Sequence, residues 1–316
     1  MKMILDLDTG IDDALALAYA LGSSEVELIG VVGSYGNVFL DQGVTNTLSL
    51  LELLGFDDVP VYAGASCAME KECFTVREVS SFIHGVNGIG NVNLKEPKRV
   101  KEELNGVDFM IESAKKYGKE LTVVATGPLT NLAAALKKEP SFKEMIGNVV
   151  IMGGALTVPG NVTPCAEANI HEDAESAHIV FTSGLPFTMV GLDVTLRTTL
   201  TKEETKIWRD VNTASSLAFA DMVDYYIDAY KVINEKLNGC ALHDPLAVAV
   251  AVNPDLVKTL SMHMTVNLEG SVRGRTTGDK DRLSEANPPV KASVDVNSEE
   301  FKMNFMNRLT KLFQMN

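Results

Sequence analysis

Hydrophobic residues fall into two alternating rhythms over the first 195 positions. Short apolar runs occur at 3–8 (MILDLD), 26–32 (VELIGVV), 59–64 (VPVYAG), 121–126 (LTVVAT), 148–154 (NVVIMGG) and 186–191 (PFTMVG). Runs of this length, rich in Val, Ile and Leu and closed by Gly or Asp, predict strands; their continuity predicts burial on both faces. Helical spacing separates them, at Asp12–Leu21, Gln42–Leu54, Val107–Tyr117, Leu129–Lys137 and Asp173–Ser183. Strand and helix in alternation imply an α/β fold: an open, mostly parallel, Rossmann-like sheet flanked by helices.

Beyond residue 195 the rhythm changes. Lys202–Val211, Ser215–Lys236 and Pro245–Val252 predict helices, Ser261–Val266 and Ser271–Arg275 are β-like, and Glu299–Phe313 closes as an amphipathic helix. These extra helices are expected near the carboxyl edge of the sheet. No composition break, linker, repeat or low-complexity segment divides the chain, so residues 1–316 are expected to form one domain. Two stretches, Ser81–Asn93 and Gly153–Asn169, read as long Gly/Asn-rich loops. Ligands of parallel sheets bind outside the carboxyl ends of the strands, and long loops there are usually functional.

Charge narrows the partners. With 28 basic and 42 acidic residues the formal net charge is -14, which disfavours nucleic acid and anionic membranes. The one dense basic patch, Lys95, Arg99 and Lys101, is diluted by Glu102 and Glu103. Aspartates interrupt the apolar start, no cleavage-site pattern follows, and no apolar run reaches the ~18 residues of a spanning helix. The expected location is the cytosol. Cys67, Cys73, Cys165 and Cys240 lack paired spacing and are expected to be reduced and structural.

Four aspartates, Asp6, Asp8, Asp12 and Asp13, crowd the first strand's end and the turn after it. The first turn of a helix stabilises a carboxylate by ~0.3–1 kcal/mol when exposed. Capping accounts for two of the four. A hard divalent cation accounts for all four, because Ca²⁺ and Mg²⁺ take clusters of carboxylate oxygens. Two enzyme classes open this way. Asp6-Leu7-Asp8 resembles the first half of the haloacid-dehalogenase-like phosphotransferase motif, but Gly10 stands where that motif has Thr, and Asp12-Asp13 has no role in it.

DLDTGIDDA (6–14) resembles, at every fixed position, the opening of the nucleoside hydrolase family, inosine–uridine-preferring type; Thr9 stands where Pro is usual. The resemblance continues in family order through Gly36-Asn37, IHGVNGIGN (83–91), VATGPLTNLA (124–133), VIMGGALTVPGNVTPCAEANI (150–170) and LHDPLAVA (242–249). Singly, each has an ordinary structural explanation. Asp244-Pro245 suits a helix start with Asp at the N-cap and Pro at N1. His84 suits an exposed loop, and Asn161, Glu167 and Asn169 suit loop-stabilising side chains. Together they describe a site for a polyhydroxylated substrate.

The resemblance implies Ca²⁺-dependent hydrolysis of the N-glycosidic bond of ribonucleosides through an oxocarbenium-like transition state. It assigns Asp8, Asp13, Asp244 and the Thr126 carbonyl to the metal. Asp8 is the general base for a metal-activated water, and Asp6 stands behind the cluster. Asp12, Asn37 and Asn169 are assigned to the ribose diol, Asn161 and Glu167 to the 5′-hydroxyl, and His243 to protonation of the departing base. His84, Tyr226 and Tyr230 are assigned to the base pocket; the tyrosines, four apart, share one helical face. Ala168 stands where an aromatic residue is common in the family, which leaves purine against pyrimidine preference open. A homo-oligomer, dimer or tetramer, is also implied. His171, His178, His263, Trp208 and the methionines match no motif and are expected to serve packing or the surface.

Overall fold

Each of the six apolar runs contains a strand of one sheet. The computed structural model describes residues 1–233, 237 and 239–315. Its strands are β1 (Lys2–Leu7), β2 (Glu27–Gly33), β3 (Val61–Ala63), β4 (Leu121–Ala125), β5 (Asn148–Met152), β6 (Phe187–Val190), β7 (Thr199–Leu200), β8 (Cys240–Ala241), β9 (Val257–Met262), β10 (Met264–Val266), β11 (Thr276–Gly278) and β12 (Val290–Val296). Eight of them form the main sheet, in the order β3-β2-β1-β4-β5-β6-β12-β9. All pairings are parallel except the last, β12 with β9. The ribbons β10–β11 and β7–β8 stand apart.

From β1 the chain steps outward to β3, then returns and builds the other half from β4. The order therefore reverses between β1 and β4, where parallel sheets open a crevice at their carboxyl ends. Asp6 pairs in register with Ala125 there. The Thr126 amide extends the ladder by donating to the Asp6 carbonyl at 2.9 Å.

Helices cover both faces. They are α1 (Ile11–Leu21), α2 (Leu40–Leu53), α3 (Glu78–His84), α4 (Gly106–Tyr117), α5 (Thr130–Lys138), α6 (Phe142–Met145), α7 (Ala168–Glu172), α8 (Ala174–Thr182), α9 (Leu192–Thr195), α10 (Lys202–Val211), α11 (Ala214–Ile233), α12 (His243–Val252) and α13 (Ser298–Gln314). Strand alternation divides the core: Met3, Leu5 and Leu7 join one apolar cluster, while Ile4 joins the other with Val123 and Val149. Helices α1 and α12 are buried along almost their whole length and pack directly against each other. Both are apolar all round, as fully buried helices are.

Four expectations change. β12, unrecognised in the sequence, is a full member of the main sheet. Residues 271–275, expected as β-like, lie mostly in a 3₁₀ turn (Gly270–Val272) and the loop before β11. The stretch read as a loop from Ser81 begins inside α3, which ends at Gly85 with φ +79°. Helix α12 starts at His243, so Asp244 is not its N-cap. The β7–β8 ribbon sets this start, because Leu242 still donates to the Thr198 carbonyl at 2.9 Å before the chain turns. Of the expected helix Ser215–Lys236, the final residues lie outside the described ones. Trp208 is fully buried, with ring centroids 6.1 Å from Phe305 and 5.5 Å from Phe313. All four cysteines are free thiols. Among the described residues no helix is long and apolar enough to cross a membrane.

Candidate active site

Asp12 and Asp13 fall in the first turn of α1, and Asp244 in the first turn of α12. Because the two helices pack together at the switch point, three carboxylates from distant sequence positions converge. One carboxylate oxygen from each of Asp12, Asp13 and Asp244 lies within 4.8 Å of the others, and all three residues are buried. Asp6 and Asp8, from β1 and the turn after it, are 1% and 2% exposed.

Each carboxylate has a different environment. Asp13 is the most satisfied: it accepts from the Gly10 amide (2.8 Å), Asn37 Nδ2 (3.2 Å) and Thr126 Oγ1 (2.7 Å). Asp6 accepts from Asn131 Nδ2 at 2.8 Å, while its Oδ2 has no partner. Asp8 accepts from the Asn37 amide at 2.7 Å through Oδ2, and its Oδ1 has none. Asp12 Oδ1 is likewise buried and unpartnered. Burial pushes all of these carboxyls up. Asp6 rises to about 7, with Asn131 opposing and Asp13 adding; Asp12 rises to about 7, with Asp13 adding. Asp8 and Asp244 go well above the carboxylate range, from burial and then neighbouring negative charge.

Two glycines make room for Asp8. A Cβ on Gly36, whose φ is +151°, would lie 2.1 Å from Asp8 Oδ2, and one on Gly127 would lie 3.1 Å from Oδ1. Gly10 does the same for a second pair: its Cβ would lie 2.6 Å from His84 Nδ1 and 2.7 Å from Asn37 Nδ2. Main chain thus approaches these side chains more closely than any other residue type allows.

His84 ends α3 and is buried. The Ile11 amide donates to its Nδ1 at 3.2 Å, so that nitrogen carries a lone pair and a neutral ring holds its proton on Nε2. Burial, with His243 adding, pulls His84 down to about 3. His243 sits between two hydroxyls: Tyr230 at 2.7 Å from Nε2 and Thr195 at 2.7 Å from Nδ1. Burial pulls it down to about 4. Both histidines are therefore neutral near pH 7. The Tyr226 and Tyr230 rings meet edge to face at 4.8 Å, and Tyr226 lies 5.3 Å from the His84 ring.

Glu167 is the N-cap of α7. Its two oxygens accept from the amides of Asn169 (3.0 Å), Gly154 (3.0 Å) and Ile170 (3.2 Å). Asn161 Oδ1 accepts from the Ala168 amide at 3.0 Å, which leaves its Nδ2 to donate. Asn169 Nδ2 donates to the Thr126 carbonyl at 2.6 Å. In this geometry the carbonyl expected to face a metal meets an amide.

Of the residues singled out in the sequence, all but Asp6, Asp8 and Asp13 line one cavity of about 400 Å³. Those three are buried beside the carboxylates that do line it. The converging triad is Asp12, Asp13 and Asp244, whereas the resemblance assigns Asp8 in place of Asp12. The residues fit a hard cation: the carboxylates are buried, and Asp6 Oδ2, Asp8 Oδ1 and Asp12 Oδ1 lack any hydrogen-bond donor.

Sequence reasoning missed Thr195, Asn131 and Arg77. Asn131 lies inside the quoted VATGPLTNLA stretch, where a polar residue at the second position of a helix was a usable signal. Thr195 and Arg77 carry none: each is a single polar residue in a segment of unremarkable pattern.

The chain was then compared with known proteins. The family profile described as inosine-uridine preferring nucleoside hydrolase matches residues 3–303. Uridine nucleosidase 1 of Arabidopsis thaliana is 38% identical over 92% of this chain and 85% of its own length. The pyrimidine-specific ribonucleoside hydrolase RihA of Escherichia coli O9:H4 is 34% identical over 95% of this chain and 96% of its own. The solved structure of a purine-preferring ribonucleoside hydrolase from Gardnerella vaginalis superposes with a TM-score of 0.99, at 53% identity, covering 100% of both chains. On the family match and the coverage of these relatives, the chain belongs to the inosine-uridine preferring nucleoside hydrolase family.

Proposed function

We propose that residues 1–316 form one enzyme domain that hydrolyses the N-glycosidic bond of ribonucleosides, giving free base and ribose. One observation carries this reading: Asp8 Oδ1 and Asp12 Oδ1 are buried without partners in a carboxylate cluster beside a nucleoside-sized cavity. Asp8, Asp13 and Asp244, with the Thr126 carbonyl, are the residues that would hold Ca²⁺ in this reading, with Asp12 beside them. When bound, such an ion lowers the pKa of a coordinated water and binds the ribose diol.

Asp8 takes a proton from the attacking water at Oδ1, its one oxygen without a donor. The C1′–N bond breaks as the water oxygen bonds to C1′. The departing base takes a proton from the His243–Tyr230 pair, which shares one short hydrogen bond. Both protons return through solvent exchange. Asp12, Asn37 and Asn169 hold the diol, Asp6 orients the cluster from behind, and Tyr226, Tyr230 and His84 surround the base. The 5′-hydroxymethyl group falls to the remaining polar wall, at Asn161 and Glu167. The hydrogen bonds to ribose favour its distortion toward the transition state. The relatives differ in the base that their names specify, and this reading rests on ribose contacts rather than on a base. It also has the enzyme working in the cytosol as a homo-oligomer; the four free thiols suit that compartment.

The test is direct. The protein is incubated with inosine, uridine, cytidine and a phosphate ester, with and without chelator, and assayed for free base, reducing sugar and phosphate. Base release that stops on chelation and returns with Ca²⁺ is the expected result. Phosphate without base, or tight nucleoside binding without product, sinks the reading.

A further inference from the structure

Among the described residues, Arg77 is the one Lys or Arg side chain that lines the cavity, and it is 29% exposed there. Arg77 immediately precedes α3, the helix that ends in His84, and both residues border the cavity. Two of its guanidinium nitrogens, Nε and Nη1, are buried and have no hydrogen-bond partner. Its nearest carboxylate, Glu172, approaches Nε only to 3.6 Å, an ion pair beyond hydrogen-bond reach. Leaving charged donors unmet in the interior is costly, and Arg presents five of them in a fixed fork. Such a group marks a place where something else accepts.

We infer that Arg77 is a substrate-binding residue that donates to the 5′-oxygen of the ribose. The inference deepens the nucleoside hydrolase reading and rests on it. Once the diol is given to the carboxylate cluster and the base to the aromatic wall, the 5′ end meets Arg77, Asn161 and Glu167. Glu167 is a poor recognition group on its own, because three backbone amides already fill its oxygens. The Arg77 charge acts on Glu167, pulling against the burial that raises it, so the two belong to one electrostatic unit. The 5′-oxygen needs donors, and those on this wall are Asn161 Nδ2 and the Arg77 fork.

The same wall argues for a neutral 5′-hydroxyl over a 5′-phosphate. Glu167 and Glu172 flank Arg77, and a dianion brought there meets their charge. The second cavity that Arg77 borders offers no stronger claim. There Glu172 also pairs with Lys71 at 3.8 Å, and Arg273 is taken by Glu175 at 2.5 Å.

The experiment compares Arg77→Ala and Arg77→Lys with the unaltered enzyme on inosine and uridine, each beside its 5′-deoxy counterpart, with uridine 5′-monophosphate as a further substrate. Thermal melts check folding. A charge-assisted hydrogen bond predicts that Arg77→Ala loses ~10- to 150-fold in kcat/KM on the hydroxylated nucleosides. The loss on the 5′-deoxy compounds is expected to stay within threefold, with Arg77→Lys between. If Arg77→Ala fails to fold, Arg77→Lys carries the same comparison, because it keeps the charge and loses the fork. Equal losses on both substrate sets overturn the assignment, as does a monophosphate hydrolysed faster than uridine. An unaltered enzyme that releases no base at all points instead to failure of the hydrolase reading, before any variant is compared.

Discussion

The Tyr230 hydroxyl stands 2.7 Å from Nε2 of His243, so this ring nitrogen is met by a phenol. With Thr195 on the other nitrogen, the imidazole is clamped in orientation. A histidine held down to about 4 does not carry a resting positive charge at neutral pH. In the proposed mechanism, proton donation to the base therefore falls to the pair. Tyr230→Phe and His243→Ala are each expected to lower kcat on a ribonucleoside by ~10²–10⁴-fold. On a 4-nitrophenyl riboside, whose leaving group needs no proton, both are expected to stay within tenfold. Equal losses on both substrates would show that the pair serves structure rather than proton transfer.

Asp8→Ala is expected to remove at least ~10²-fold of turnover, the usual contribution of a general base. Asp8→Asn keeps the Asn37 contact through its own carbonyl oxygen, so folding is expected to survive while turnover does not. Retention of activity within about tenfold, ~1.4 kcal/mol of barrier, would assign the base elsewhere.

Protonation of the cluster opposes folding and cation binding in different ways. In the cation-free protein Asp6, Asp8, Asp12, Asp13 and Asp244 all have raised values, two of them to about 7, so the folded state binds more protons than the unfolded chain from about pH 4 to 7. His84 and His243 act oppositely, because burial lowers them from 6.5 to about 3 and about 4. Five carboxyls outweigh two imidazoles, so the melting temperature of the chelated protein is expected to fall as pH rises from 5 to 7. With saturating Ca²⁺ the carboxyls are held ionised, and the slope is expected to reverse. A chelated protein that gains stability over that interval contradicts the proton count.

Gly36→Ala tests the main-chain approach to Asp8. An added Cβ would lie 2.1 Å from the carboxylate, at a φ that side chains rarely adopt. The variant is expected to lose ~1–3 kcal/mol of stability through backbone strain. It is also expected to lose more activity than an alanine at Gly118, where nothing lies within 4 Å. Urea melts and kcat/KM on one ribonucleoside decide it.

Six of the eight strands of the main sheet, β1 to β6, were legible because each lies in an apolar run closed by Gly, Thr or Asp. β12 was not. Its segment VKASVDV mixes Lys, Ser and Asp among the apolar positions, and its partner Phe187 lies about a hundred residues upstream. α3 escaped notice because Val79 and Phe82 are exposed, so the helix shows no buried stripe. At the site, the four opening aspartates announced a charged centre, but not that Asp12 and Asp13 would come within 4.8 Å of Asp244. That choice depends on how α1 and α12 abut. Thr195 and Arg77 act through three-dimensional proximity alone.

Helices α1 and α12 each begin with carboxylates and continue as alanine-rich cylinders, IDDALALAYAL against HDPLAVAVAV. Small side chains let two such cylinders lie close, and the gap between their starts follows from that spacing. The hydrophobic interior thus works as a caliper for the acidic centre. A bulkier residue introduced along the seam, about two turns from the carboxylates, is expected to spread their spacing before it alters the fold. If the proposed cation sits there, the methyl groups of this seam would help to set which ionic radius fits without touching the ion.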